Sequence, residues 1–559
     1  MAKRIFLTSF FSVFLLGIYA QSNRLVFSNV QFGNVTTGKN DSVEVILTTA
    51  NNVSYINVRV QDVNLYGASF SFKGDTSFFV NPGLPKSIWV YFSPRHNIKH
   101  TAHLVVVAEE TLNGRINLID YPITLTGTGV YADAYYSSTQ DLSEEALKQA
   151  LTTRITQGYV TLGYNSARDK MFMEIDNWKV NGRGASTNTT QCIYTGRMVT
   201  GYASRSAAQN SPNNFNTEHT WPQSMFNSAD PMVSDIHHLF ITDGQANGSR
   251  GNYPFGIATT PYQNESINSP SKLGNNNLYE PRNEQKGSTA RAMLYFVVRH
   301  GNQGNFLTAQ QENVLRQWAL QYVPDSIDRK RNDDIFTYQK NRNPFVDHPE
   351  FLERITSLYT TSQAIPKRSL TISRNKFNLM EIDEMFAVDT IMLELSLLAS
   401  GNTDITISNV KLLGNNMQID TFPTTVSAGQ TSLIRLKKIQ PNFGILRDTL
   451  EFSTNDPLQP LVQIPIDLHY STLSVKEQFS MPLHVYPNPT ADLLNIELPA
   501  GNKISSVELT NTIGQQFTFV GNNEPMVVLS LPQMAAGCYF VRVATSNRGY
   551  FFSKIIIVQ

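Results

Sequence analysis

Asn216-Thr217-Glu218-His219-Thr220-Trp221-Pro222 decides how the middle of this chain folds and which chemistry it can carry. Neighbouring side chains on a regular strand face opposite sides. Glu218 and His219 can therefore share one site only at a strand end, a bulge or a strong twist. Pro222, which cannot donate to a ladder, predicts a strand that stops here. Asp235-Ile236-His237-His238-Leu239 follows, and then Ala246-Asn247-Gly248-Ser249-Arg250-Gly251-Asn252. An acid, an imidazole and an amide oxygen thus fall in one short stretch. Glu218 and Asn247 would supply oxygen ligands to a hard cation, Mg²⁺ first and Mn²⁺ or Ca²⁺ as alternatives. His219, whose ordinary pKa lies near neutrality, is left free as a general base. His237 and His238 are expected on the return strand with opposite facing, so that one of them, His238, orients the catalytic imidazole or the metal shell. Arg250, just before a glycine-bearing turn, is expected to bind phosphate.

Outward from this stretch, the chain changes character several times. At 559 residues it is too long for one core, and about three to five domains are expected. Residues 1–20 carry Lys3 and Arg4, an apolar run from Ile5 to Ile18, and Ala20 before Gln21, the pattern of a secretory signal. No later stretch approaches the roughly 18 consecutive apolar residues of a spanning helix. Residues 21–131 alternate apolar and polar positions, as in Ser42-Val43-Glu44-Val45-Ile46-Leu47 and Ser87-Ile88-Trp89-Val90-Tyr91-Phe92. Residues 366–472 do the same, and both read as β-sandwiches. Between them, 136–365 is α+β. Asp141-x-x-Glu144 predicts a capping box for a helix with Leu147 and Leu151 on one face. Ser288 is expected to precede a second helix with Ala290, Met293, Leu294 and Val297, and a third carries Val314, Leu315 and Trp318. Exposed linkers are expected near 131–140, 363–369 and 472–482.

Charge and cysteine narrow the function classes. Lys+Arg and Asp+Glu are both 45, a net charge of +0, so no global basic surface announces a nucleic-acid partner and any attraction to phosphate must be local. Cys192 and Cys538 are the only cysteines and fall in different segments, which excludes a disulfide framework and leaves each as a small hydrophobe.

Two resemblances sharpen this reading. In 480–559, Tyr486-Pro487-Asn488-Pro489, Leu493-Leu494-Asn495-Ile496, Gly537-Cys538-Tyr539-Phe540-Val541-Arg542-Val543 and Lys554-Ile555-Ile556-Ile557-Val558 resemble the C-terminal sorting domain of type IX secretion substrates. That implies recognition by the type IX machinery and export through the periplasm and outer membrane to a secreted or surface-attached state. The two outer β-rich segments resemble bacterial immunoglobulin-like modules, on pattern and on endings such as Leu125-Thr126-Gly127-Thr128-Gly129.

Residues 136–365 resemble the bacterial endonuclease I family. The resemblance is carried by the three stretches around Glu218, His238 and Asn247, by Ile193-Tyr194-Thr195-Gly196-Arg197, by Ala290-Arg291-Ala292-Met293-Leu294-Tyr295-Phe296 and by Gln339-Lys340-Asn341-Arg342-Asn343-Pro344-Phe345-Val346-Asp347-His348-Pro349. It implies a ββα-metal (His-Me) finger, Glu218 and Asn247 as metal ligands, His219 as base, and a monomeric nuclease acting on DNA or RNA with little sequence preference. Thr217 stands where the family often has a basic residue and Ile241 where it often has proline. Arg342 is expected to pair with an acid such as Asp347. Two other classes compete. One is a zinc hydrolase built on Asp235, His237 and His238, which lacks an obvious further ligand at fixed spacing. The other is a surface adhesin with a decayed nuclease fold, against which every candidate catalytic position retains a competent residue.

Overall fold

The computed structural model describes residues 25–558 apart from 29, 50–56, 113–114, 260–269, 380–389, 440–443, 471–482, 500, 513, 532–533 and 547–549. The signal sequence and the linker expected near 472–482 lie outside the described residues. Residues 25–379 and 390–469 belong to one compact unit, and a second contains the C-terminal residues from 470 onward.

The N-terminal segment is β-rich as its alternation predicts. Val45 and Leu47 of one strand and Ile88, Val90 and Phe92 of its antiparallel partner are fully buried while the residues between them are more exposed. A larger sheet contains Asn57–Tyr66 (β1), Lys99–Leu112 (β2) and Arg115–Val130 (β3), with β2 pairing with both neighbours.

The middle segment is mixed. Glu144–Thr156 (α1) buries Leu147, Leu151 and Ile155, a spacing of four that puts them on one stripe. Its cap differs from the expected box. Ser143 is the N-cap residue, Asp141 accepts from the amide of Lys99 at 2.5 Å, and Glu144 accepts from the amide and hydroxyl of Thr356, both at 2.9 Å. These tertiary donors take the carboxylates away from the helix end. Tyr164–Lys170 (α2) follows, then the antiparallel pair Phe215–His219 (β4) and Leu239–Asp243 (β5), and Gly244–Arg250 (α3).

Asn283–His300 (α4) is the central helix, buried along most of its length. It begins five residues before Ser288, whose hydroxyl instead donates to Asp328 at 2.7 Å. Gly287 allows the close approach of the next segment, because a Cβ there would lie 2.4 Å from the carbonyl oxygen of Tyr322. Ala309–Gln321 (α5) is capped by Thr308, and Ser326–Gln339 (α6) by a reciprocal Asp325/Asp328 box. Trp221 stacks on Phe296 of α4 at 4.6 Å, tying the loop after β4 to this core.

The second β-rich segment does not stand apart from the first. Thr390–Ala399 (β6) pairs in parallel with β3 from Thr390↔Arg115 to Leu393↔Leu118, and Thr431–Ile439 (β7) pairs with the other side of β6. Strands from both segments thus form one nine-stranded sheet. Asp120 reinforces the junction, accepting from Ser373, Arg374 and the amide of Ser396. Residues 131–140 are also packed rather than loose: Tyr131 stacks on His348 at 3.6 Å, and the buried Tyr136 donates to Asp347 at 2.7 Å. Aromatic burial has overridden the polar turn character of that stretch.

The C-terminal unit is β-rich throughout. Ile504–Asn511 (β8), Gly537–Thr545 (β9) and Tyr550–Ile557 (β10) belong to a four-stranded sheet, and three shorter strands form a second one. Val507, Leu509, Val541, Val543 and Ile555 fill its core at period-two spacing.

The packing of 131–140 and the β3–β6 junction make a joint prediction. Proteinase K, which needs no particular residue, should cut the exposed stretch 363–368 before it cuts within 131–140. The nicked chain should stay together on size exclusion until denaturant is added. A first cut within 131–140, or fragments separating in native buffer, would contradict this packing.

Candidate active site

β4 and β5 pair from Phe215↔Asp243 to His219↔Leu239, and α3 starts at once because Asp243 caps it through the amides of Gln245 and Ala246. The unit is strand, strand, helix, with residues 220–238 looping out through short 3₁₀ turns. His219 is the last residue of β4, so Glu218 and His219 sit at a strand end as the sequence demands.

Glu218 is 2% exposed. Tyr194 donates its hydroxyl to Oε1 at 2.8 Å, and Arg250 Nη1 lies 3.3 Å from the same oxygen. Burial pushes the Glu218 pKa up, opposed by Arg250 and Tyr194. Both contacts fall on Oε1, which leaves Oε2 without a hydrogen-bond partner among the described residues. A buried carboxylate with one unengaged oxygen fits a cation. Asn247 is half-buried on α3, one turn before Arg250, and its carboxamide makes no hydrogen bond among the described residues.

His219 Nε2 lies 3.1 Å from the carbonyl oxygen of Val233. A carbonyl only accepts, so Nε2 carries the hydrogen and Nδ1 the lone pair. Gln223 donates its amide to that Nδ1 at 3.1 Å. The pKa of His219 is pushed down to about 3, by burial first, then by His238, with Arg168 and Arg250 adding to it against the Val233 carbonyl. The resting imidazole is neutral.

Arg250 departs from the expected phosphate ligand. It is 1% exposed, and its guanidinium donates to the carbonyls of Thr220 at 2.7 Å, Gly251 at 3.0 Å and His219 at 3.3 Å, with the ring of Phe255 against it. The cause is local. β4 ends there, its last carbonyls need donors, and the Glu218 carboxylate needs a countercharge. Thr217 is buried beside it and pairs with Ile241.

His237 and His238 lie on a 3₁₀ turn, Ile236–His238, and not on the return strand. The His238 ring is edge-on to that of His219 at 5.4 Å, and its Nε2 donates to the Met232 carbonyl at 2.6 Å. His237 Nε2 donates to the Asn341 carbonyl at 3.2 Å. Asp235 is fully buried, paired with Arg299 and bonded to Tyr295 and His300, each at 2.9 Å, and to Gln339 at 3.0 Å. These bonds engage the Asp235 carboxylate and Nε2 of each imidazole, and leave His238 Nδ1 without a hydrogen-bond partner among the described residues. No group of three or more His, Cys, Asp or Glu among the described residues is arranged to hold a metal.

The Gln339–Pro349 string acquires a role here. Gln339 accepts the Ile236 amide at 2.6 Å, Asn341 bonds Tyr295 at 2.6 Å, and Arg342 forks onto Asp347 with both bonds at 2.7 Å. Sequence reasoning assigned no role to Tyr194, Gln223, Tyr164 or Arg168. The Tyr164–Arg168 spacing of four signals a stacked helical pair, but nothing local says which imidazole that pair approaches.

Residues 143–350 match the model of the family described as Endonuclease I, and 484–558 match that of the secretion system C-terminal sorting domain. The chain is 33% identical over 242 residues to the extracellular ribonuclease of Bacillus subtilis, covering 40% of this chain and 78% of that protein. The chain belongs to the endonuclease I family. A second relative, the extracellular ribonuclease of Bacillus amyloliquefaciens, is 33% identical over 243 residues with the same two coverages, 40% and 78%. The periplasmic deoxyribonuclease of Aeromonas hydrophila is 32% identical over 117 residues, covering 21% of this chain and 48% of that protein. The chain is therefore a nuclease. With its type IX sorting domain, it is exported and either secreted or attached at the cell surface.

The buried histidines give the fold a pH dependence. Burial pushes His237 and His238 down to about 4, whereas an unfolded imidazole titrates near 6.5. Between about pH 6.5 and 4 the unfolded chain binds protons that the folded chain does not. Their contribution is fully present above about pH 6.5 and is lost as pH falls through that window. The urea midpoint should drop steadily from pH 7 to pH 4.5, and a flat midpoint would contradict the assignment.

Proposed function

We propose that the chain hydrolyses phosphodiester bonds of DNA, RNA or both with little sequence preference, as a metal-dependent monomer, at the end of β4. The observation that carries this reading is the orientation of His219, whose Nδ1 lone pair is set by the Val233 carbonyl beside the buried Glu218. Glu218 and Asn247 would hold Mg²⁺, or Mn²⁺ or Ca²⁺ in its place. Such a cation would supply positive charge to offset the negative charge that builds up during hydrolysis.

The chain's own groups perform the proton chemistry. Water attacks phosphorus as its proton passes to His219 Nδ1, and the P–O3′ bond breaks; the 3′ oxygen takes a proton from solvent and His219 later releases its own to solvent, leaving a 5′-phosphate and a 3′-hydroxyl. The Val233 carbonyl steadies the Nε2–H as the ring becomes cationic. A base pushed down to about 3 is a weak acceptor, and the negative phosphodiester entering the site raises it again. Gln223 must yield Nδ1 to the attacking water. His238 buttresses the His219 ring, while Arg250 keeps the strand end and Glu218 in place. With no base-reading module and no net charge, recognition rests on backbone phosphates. The two outer β-rich segments are proposed as immunoglobulin-like accessory layers, which their in–out alternation supports.

The test uses the full mature chain with plasmid DNA, single-stranded DNA and RNA, each with Mg²⁺ or with chelator. Cleavage undiminished by chelator would overturn the mechanism. His219→Ala should lower kcat by roughly 10²–10⁴-fold with nucleic-acid binding nearly intact. Glu218→Ala should instead raise the Mg²⁺ concentration needed for half-maximal rate. Near-normal turnover by His219→Ala would move the base elsewhere.

A further inference from the structure

The Nδ1 side of His219 is flanked by groups that the reaction above does not use. The Tyr164 ring lies 5.4 Å from the His219 ring, whose Nδ1 is capped by the Gln223 amide. One turn along α2, the Arg168 guanidinium sits over the Tyr164 ring at 4.0 Å.

Arg168 differs from the other cations around it. Arg250 has Glu218 at 3.3 Å, Arg205 has Asp169 at 2.7 Å, and Lys170 has Glu174 at 2.6 Å. Arg168 makes a side-chain bond to the neutral Asn165 at 2.6 Å, but has no carboxylate partner among the described residues, and its buried Nε has no hydrogen-bond partner among them. A partly buried cation without a countercharge is costly unless an anion arrives from outside. Its position says which anion. A water deprotonated at Nδ1 attacks a phosphorus close to that nitrogen, so the phosphate oxygens must lie on the side flanked by Tyr164, Gln223 and Arg168. A planar guanidinium fork matches phosphate geometry, and the Tyr164 ring holds the fork's plane.

We propose that Arg168 is a substrate-binding residue of this nuclease, donating from its seat on Tyr164 to a non-bridging oxygen of the nucleic-acid backbone at or next to the cleaved bond. It takes the role that sequence reasoning gave to Arg250. The proposal rests on the reading of His219 as the base.

The experiment compares wild type, Arg168→Gln, Arg168→Lys and the charge-matched control Lys330→Gln, whose residue pairs with Asp334 on α6. KM and kcat are measured with duplex DNA and Mg²⁺. Kd is measured across a salt series in the His219→Ala background, with thermal melting alongside. Arg168→Gln should weaken KM and Kd by about tenfold or more. It should also make the dependence of log Kd on log salt shallower by about one unit. Arg168→Lys should restore the slope but only part of the affinity, and Lys330→Gln should behave as wild type. An unchanged salt slope in Arg168→Gln would overturn the proposal, whether activity stays normal or falls with kcat or melting temperature, because Arg168 would then be a packing residue. A wild-type chain that cleaves no nucleic acid with any divalent cation would overturn the underlying reading of His219 instead.

Discussion

The site depends on one buried ion pair, Asp235 with Arg299. Neither side chain has meaningful contact with water, and the carboxylate is further bonded by Tyr295, His300 and Gln339. Burying charges is tolerable only when geometry and additional hydrogen bonds compensate for the lost water, and removing one partner of such a pair costs about 3–5 kcal/mol. The pair anchors the end of the 220–238 excursion to the central helix. Two carbonyls in that excursion, Val233 and Met232, set the orientation of His219 and His238. A buried ion pair therefore holds in place the backbone that orients both imidazoles.

A second constraint acts at the end of β4. Adjacent residues on a regular strand face opposite sides, and β4 stops at His219. Stopping it leaves carbonyls that must find donors. Arg250 supplies them from α3 and at the same time neutralises part of the Glu218 charge. One cation thus satisfies both consequences of the same backbone ending, which explains why it is buried rather than presented to substrate.

The β-rich segments share a constraint of a different kind. Edge strands expose unpaired amides and carbonyls. Joining β3 to β6 covers an edge on each side of the nuclease domain in sequence, so the domain is inserted between two halves of one sheet. For a protein exported to the cell exterior, that arrangement fastens both ends of the nuclease domain to a common β layer.

The sequence by itself determined what periodicity and local chemistry control: β-rich segments at both ends, an α+β middle, the strand stop at Glu218-His219, the pairing of Arg342 with Asp347, and the endonuclease I and sorting-domain families. Only the tertiary structure decided how those pieces meet. Arg250 turned inward and Asp141 and Glu144 left the α1 cap, because distant backbone groups were better partners than local ones. The linker at 131–140 became packed because Tyr131 and Tyr136 found His348 and Asp347, more than 200 positions away along the chain. Spacing specifies which face of an element a side chain occupies, but long-range partners and burial are properties of the folded whole. That is why Glu218 and His219 were legible in one heptapeptide, whereas Tyr194, Gln223 and Arg168 emerged only when three separate elements converged on them.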